Sequence, residues 1–259
     1  MIKTLLVCLA ALALSSTANA ATVWQDEFNT NTLSSDWIIR TGCPHEIMAI
    51  DWYCYSDSPS NVYVDGSALH LALTTGTLGR TYDAASISTF LHGRGWPPSI
   101  VVKSFSPPVT ITSRIKFAAV AGFWQTLWTM GTDRVKPTEL DIAEMRGAFP
   151  NQLTCHVHDN SKDWTTGRNS NFSIELPFDF SKRYREYYMK YPTPNKVVFG
   201  VWYKDRRLIC GKVTNMTNTL EQGIIFDAKT GIPSRWAGIG GPPQVPAEML
   251  VDWIRVTSP

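Results

Sequence analysis

Glu139, Asp141 and Glu144 fall within six residues of one another, with Leu140, Ile142 and Ala143 between them. Side chains alternate along a β-strand, so Glu139 and Asp141 share one face and Leu140 and Ile142 the other. Strict alternation sends Glu144 inward. A one-residue β-bulge at Ala143 turns Glu144 back beside the other two acids and Met145 into the core. Three acids on one face repel each other unless they share protons or hydrogen bonds. Carboxylates whose pKa values are pushed apart suit glycosidic-bond cleavage, with one ionised as nucleophile and one protonated as general acid. Two regular strand steps hold the outer pair too far apart. The bulge brings them toward the roughly 5–5.5 Å of a retaining double displacement. The duller reading is a solvated acidic strand, so the surroundings must decide.

Several residues could serve such a site. Trp124 and Trp128 lie four apart on a strand, hence on one face, and could stack on sugar rings or fill a core. Thr154, His156 and His158 share a face on the strand after the acids. His158 is expected in the cleft, bonded to the acid/base or to sugar. The two histidines with Asp159 or Asp163 make a weaker metal alternative, because a third strong ligand is lacking. Asn61 could bond a sugar hydroxyl or cap a turn. Arg94 and Trp96, in the loop His92-Gly93-Arg94-Gly95-Trp96, could form a cleft wall.

The elements around these residues read as strands. Asn61 to Gly66 leads into Ala68 to Leu73 through a turn. Val109 to Phe117 alternates cleanly, and Gly122 to Met130, Leu153 to Val157, Tyr184 to Tyr191, Lys196 to Tyr203, Leu208 to Val213 and Met249 to Val256 follow as further strands. Thr219 to Ala228 is the nearest thing to a helix, and a weak one. Many evenly spaced strands predict an all-β, antiparallel sandwich or jelly roll.

Lys3, the apolar run Leu5 to Leu14 and Ala18-Asn19-Ala20 read as a secretory leader over residues 1–20. Residues 21–259 then form a single domain, secreted or periplasmic. Cys43, Cys54, Cys155 and Cys210 remain, an even number for an oxidising compartment. Cys43 with Cys54 and Cys155 with Cys210 is one of three possible connectivities. The formal charge of +2, or +1 without Lys3, offers nothing to nucleic acid or a charged membrane surface. A monomer acting on polysaccharide is expected. Ten Trp exceed what a core needs and suit sugar stacking, although a Trp-rich sandwich core claims most of them.

Taken in order, these segments resemble glycoside hydrolase family 16. Trp24-Gln25-Asp26-Glu27-Phe28 is similar to its W-x-D-E-F opening, and Asn61-Val62 before Asp65-Gly66 to its N-V-x-V-x-x-G-x-L segment. Ser113 to Phe117 resembles A-R-I-K-F, and Gly122 to Met130 resembles the strand before the acids. Glu139 to Glu144 matches the bulged E-[IL]-D-x-x-E signature, and Val251 to Val256 resembles V-D-Y-V-R-V. The resemblance implies a β-jelly-roll of two curved sheets, concanavalin A-like, with a concave cleft. It implies endo-acting, retaining hydrolysis of a β-linked glucan or galactan, with β-1,3-glucan first within the family. By residue match Glu139 is the nucleophile, Glu144 the general acid/base and Asp141 the partner that tunes the nucleophile. No cofactor is expected for catalysis. A structural calcium on Glu27, Gly66 and Asp252 is implied by the same match. Gln125-Thr126 stands where Pro-Ala is usual, and Arg134 to Thr138 lacks the Trp and Gly that usually precede the acids, so the polysaccharide stays open. A non-catalytic carbohydrate-binding module and a transglycosylase are the alternatives on the same sandwich.

Overall fold

The computed structural model describes residues 20–43, 53–91, 100–132, 138–159, 168–216, 221–231 and 239–259. Of the expected leader, only Ala20 lies among them. The described residues hold no helix; every regular element is a strand. These are β1 (Ala21–Asp26), β2 (Ile38–Ile39), β3 (Tyr53–Tyr55), β4 (Val62–Val64), β5 (Leu69–Thr75) and β6 (Tyr82–Ser88). Then come β7 (Phe90–Leu91), β8 (Ile100–Val101), β9 (Val109–Lys116), β10 (Phe123–Gly131), β11 (Thr138–Arg146) and β12 (Gln152–Asp159). The last are β13 (Arg168–Glu175), β14 (Arg185–Thr193), β15 (Lys196–Tyr203), β16 (Arg206–Val213), β17 (Gln222–Thr230) and β18 (Ala247–Ser258).

One layer runs β13-β12-β11-β10-β17-β6 and the other β5-β18-β9-β14-β15-β16, joined where β5 pairs with β6. The chain curls from one layer into the other, so the sheet is nearly closed and the expected all-β jelly-roll is what forms. Alternation explains the outer layer. In β9, Val109, Ile111, Ser113 and Ile115 are buried while Thr110, Thr112, Arg114 and Lys116 are half-open. In β14, Tyr187, Met189 and Tyr191 point inward and are fully buried. They share one core with Leu140, Ile142, Ala143 and Met145 of β11.

Two disulfides form, Cys43–Cys54 and Cys155–Cys210. The second joins β12 of one layer to β16 of the other, directly behind the acid strand.

The weak helix expected over Thr219 to Ala228 is corrected. Residues 222–230 form β17, paired with β10 on one side and β6 on the other. A strand buried on both faces loses its alternation, and Gly223-Ile224-Ile225-Phe226 then reads without a period.

Candidate active site

Strand β11 lies between β10 and β12, and its register sets the site. Against β10, Asp141 pairs with Trp128, Ala143 with Leu127 and Glu144 with Thr126, so Ile142 is the extra residue. Against β12, Asp141 pairs with His156 and Glu144 with Thr154, so Ile142 and Ala143 together face Cys155. The bulge thus spans Ile142–Ala143. Both residues and Met145 are fully buried in the core. The one-residue slip returns Glu144 to the face of Glu139 and Asp141.

Neighbouring strands bring polar partners to that face by the same alternation. From β12 come Thr154, His156 and His158; from β10, Trp124, Thr126 and Trp128; from β17, Asp227 and Lys229. His156 Nδ1 lies in close contact with Glu144 Oε2 and 3.7 Å from Asp141 Oδ2. His158 Nε2 lies 3.4 Å from Asp141 and 3.9 Å from Glu139. Its other nitrogen faces the Asn169 side chain at 3.2 Å. His158 therefore reaches the Glu139–Asp141 end, and His156 lies against Glu144; of the two partners expected for His158, Glu144 is held by His156 instead and a sugar is the one left to it. Trp124 Nε1 donates to Glu144 Oε1 at 3.2 Å. Trp128 Nε1 donates to Asp227 at 3.2 Å, and Lys229 donates to the same oxygen at 2.8 Å. The Lys229 ammonium also lies 4.2 Å from the centre of the Trp124 ring.

Asp141 and Glu144 are buried, and Glu139 is the most open of the three acids. Burial raises Asp141 well above the usual carboxylate range, and the charges of Glu144 and Glu139 add to it. Burial also raises Glu139, against the pull of His158 and with the push of Glu144. For His158, burial alone would lower the pKa. The hydrogen bond to Asp141 and the charge of Glu139 outweigh it and raise His158 to about 9. Asp227 goes the other way. Burial opposes its charge, but Lys229 and Arg40 hold its carboxyl below the usual range. The arrangement keeps protons on a shared set of groups on one sheet face, as acid–base cleavage requires.

Other expected residues fall elsewhere. Asn61 is 1% exposed, and its amide N–H groups bond the Ala72 and Asp83 carbonyls and Thr74 Oγ1. It ties β4 to β5 and β6 and cannot meet a sugar. Arg94, Trp96 and Asp163 lie outside the described residues. Asp159 points to the opposite face of β12 from His156 and His158, so it cannot complete their metal alternative. Asp141, His156 and His158 do have ligand atoms within 4.8 Å of one another. These groups already hold one another and the glutamates through the contacts above. Of the residues expected to hold calcium, Glu27 and Asp252 each face an arginine. Both Glu27 oxygens accept from Arg255 at 2.8 and 2.9 Å, and Asp252 is paired with Arg114.

Sequence reasoning missed Asp227 and Lys229, because β17 was read as a weak helix. The signal was present: two charges spaced two apart after Ile224-Ile225-Phe226 place both on one strand face.

Comparison with known proteins agrees with this geometry. The family model for glycosyl hydrolases family 16 matches residues 109–221, which hold the acids. A curated relative, glucan endo-1,3-beta-glucosidase A1 of Niallia circulans, is 23% identical over 90% of this chain. The match spans 37% of that relative, so the chain is about a third of its length. Among solved structures, the endo-beta-1,3-glucanase of Pyrococcus furiosus superposes with a TM-score of 0.72 at 22% identity, covering 92% of this chain and 94% of that one. The laminarinase of Rhodothermus marinus superposes at 0.75 with 20% identity, covering 93% and 98%. At such identities the solved structures speak for the fold.

Proposed function

We propose that this chain is a glycosyl hydrolase of family 16, whose model matches residues 109–221, and within it an endo-acting, retaining hydrolase of a β-linked polysaccharide, β-1,3-glucan first. The observation that carries the reading is the bulge at Ile142–Ala143, with its three carboxylates on one polar face. Glu139, the most open acid, attacks the anomeric carbon. Glu144, held by His156 and Trp124, protonates the departing oxygen. Glu144 then takes a proton from the water that releases the glycosyl-enzyme. Asp141 shares its proton with Glu139 and is steadied by His158. Trp128 and Trp124 offer ring surface to the sugars on either side. The names of the relatives above favour 1,3-linked glucan. Two disulfides suit an oxidising compartment, so the enzyme is taken to work outside the cytosol.

Reducing ends released from laminarin, lichenan, agarose, carrageenan and porphyran identify the polymer. Proton NMR of the first product reads the stereochemistry: a β-anomer is expected, and an α-anomer appearing first would sink the double displacement. Glu139→Gln and Glu144→Gln are each expected to lower kcat by about 10³-fold or more. Turnover near the wild-type rate in either variant removes that residue from its role.

A further inference from the structure

The outer layer carries a second polar face, on the opposite side of the sandwich from the acids. Register aligns its residues into a stripe that crosses the strands. Trp253 of β18 pairs with Arg114 of β9, and Arg114 pairs with Glu186 of β14. On β15, Trp202 pairs with Arg207 of β16, one register step beyond the Tyr187–Val201 pair that links β14 to β15. The stripe crosses five strands, or roughly 19 Å at the usual strand spacing. Along it guanidinium groups lie against rings: Arg255 is 4.3 Å from the Trp253 ring, Arg114 5.0 Å from Tyr184, and Arg207 4.4 Å from Trp202.

A cavity of about 300 Å³ opens on this stripe, lined by Arg114, Tyr184, Arg185, Glu186, Trp202 and Lys204. Arg114 is neutralised by Asp252. Arg185 is not: its guanidinium lies 4.4 Å from Phe178 and 5.4 Å from Tyr203, and its buried Nε has no hydrogen-bond partner among the described residues. Lys204 and Arg207 likewise meet rings but no carboxylate among the described residues. Glu186 is the carboxylate among the cavity's lining residues, beside Arg185 and Lys204. A surface of half-buried rings with unneutralised cations between them fits a ligand with both flat apolar faces and negative charge.

We propose that this stripe is a second binding surface for polysaccharide bearing carboxylate or sulfate groups. The saccharide class rests on the family reading; the acidic groups rest on the cations. Rings of Trp202 and Trp253 would stack on sugars, and Arg185, Lys204 and Arg207 would meet their anionic groups. A second grip on a long or mixed polymer raises the effective concentration of chain at the cleft without a new catalytic contact.

Affinity electrophoresis of the full chain tests this with three separate gels, containing polygalacturonate, κ-carrageenan and neutral laminarin. Retardation by at least one polyanion is expected, and carboxylate and sulfate are told apart by which gel retards. Trp202→Ala and the surface double variant Lys204→Gln/Arg207→Gln are each expected to raise the apparent Kd about tenfold. Turnover of a short soluble oligosaccharide should stay within about twofold of wild type, since such a substrate reaches only the cleft. Trp202→Ala keeps every cation, so its loss of retardation separates a built site from general attraction. Absence of retardation in both polyanion gels, or equal retardation of wild type and both variants, overturns the proposal. The gels read binding without turnover, so a wrong assignment of the cleft chemistry would leave this result intact.

Discussion

Among the residues of the site, two histidines take different carboxylate partners. His156 closes on Glu144, and His158 sits between Glu139 and Asp141. The folded pKa of His158, about 9, lies above the ordinary histidine value of about 6.5. A raised histidine pKa means protonated His158 stabilises the fold. Its contribution is whole below the unfolded value and fades as pH rises through the folded one. Replacing it by His158→Gln should therefore lower Tm most near pH 6, and the deficit should shrink toward pH 9.5. A deficit constant across that range would show that the imidazole packs there without carrying charge. Asp141 and Glu139 are raised as well, which has the same sign: their burial favours the folded state at low pH and costs stability as they ionise. Glu139→Gln removes one member of a repelling set. It should keep or raise Tm at pH 7 while abolishing turnover, and a drop of several degrees would contradict the repulsion argued here.

For the elements, what positions the site is one bulge on β11 and one strand that hides its period. The acid strand was legible because Glu139, Asp141 and Glu144 break alternation at a single step, and only a bulge reconciles three acids with a buried Leu140 and Met145. The outer strands were legible for a related reason: one face is open, so β9 alternates between apolar and polar residues. Strands β6 and β17 were not. Every β6 residue is buried, as is nearly all of β17, so neither shows a period of two. Asn61 misled because an amide in a turn region looks the same in sequence whether it meets solvent or acceptors on the neighbouring strands. With β17 went the buried pair Asp227–Lys229, where Asp227 is fully buried and the Lys229 side chain 12% exposed. Removing one member strands the other. Lys229→Met should cost about 3–5 kcal/mol and lower Tm by roughly 10 °C. Adding Asp227→Leu should restore much of that loss, since an uncompensated buried charge is the main penalty. A double variant no more stable than the single would place the cost in packing against Trp124 and Trp128.

Across the whole molecule, the cleft sheet is only as well placed as its grip on the outer sheet behind it. The core between them is apolar and continuous, and Cys155–Cys210 adds a covalent tie from β12 to β16. Its partners are 55 residues apart in sequence. Closing a loop of that length in the unfolded chain is worth about 4 kcal/mol by chain entropy, against about 3 kcal/mol for the 11-residue Cys43–Cys54 loop. Cys155 also stands opposite the bulge, so the tie fixes the strand against which β11 is kinked. The replacement Cys155→Ala/Cys210→Ser should therefore lower Tm by roughly 10 °C. It should also lower kcat at temperatures where the protein is still folded. Cys43→Ala/Cys54→Ala removes a bridge remote from β11 and should lower Tm somewhat less and leave kcat unchanged. Thermal melts and initial rates on one polymer, measured side by side, separate the two effects. Equal kcat in both variants would mean that the bulge holds its shape through packing and hydrogen bonds alone, and that the bridge serves stability without tuning the site.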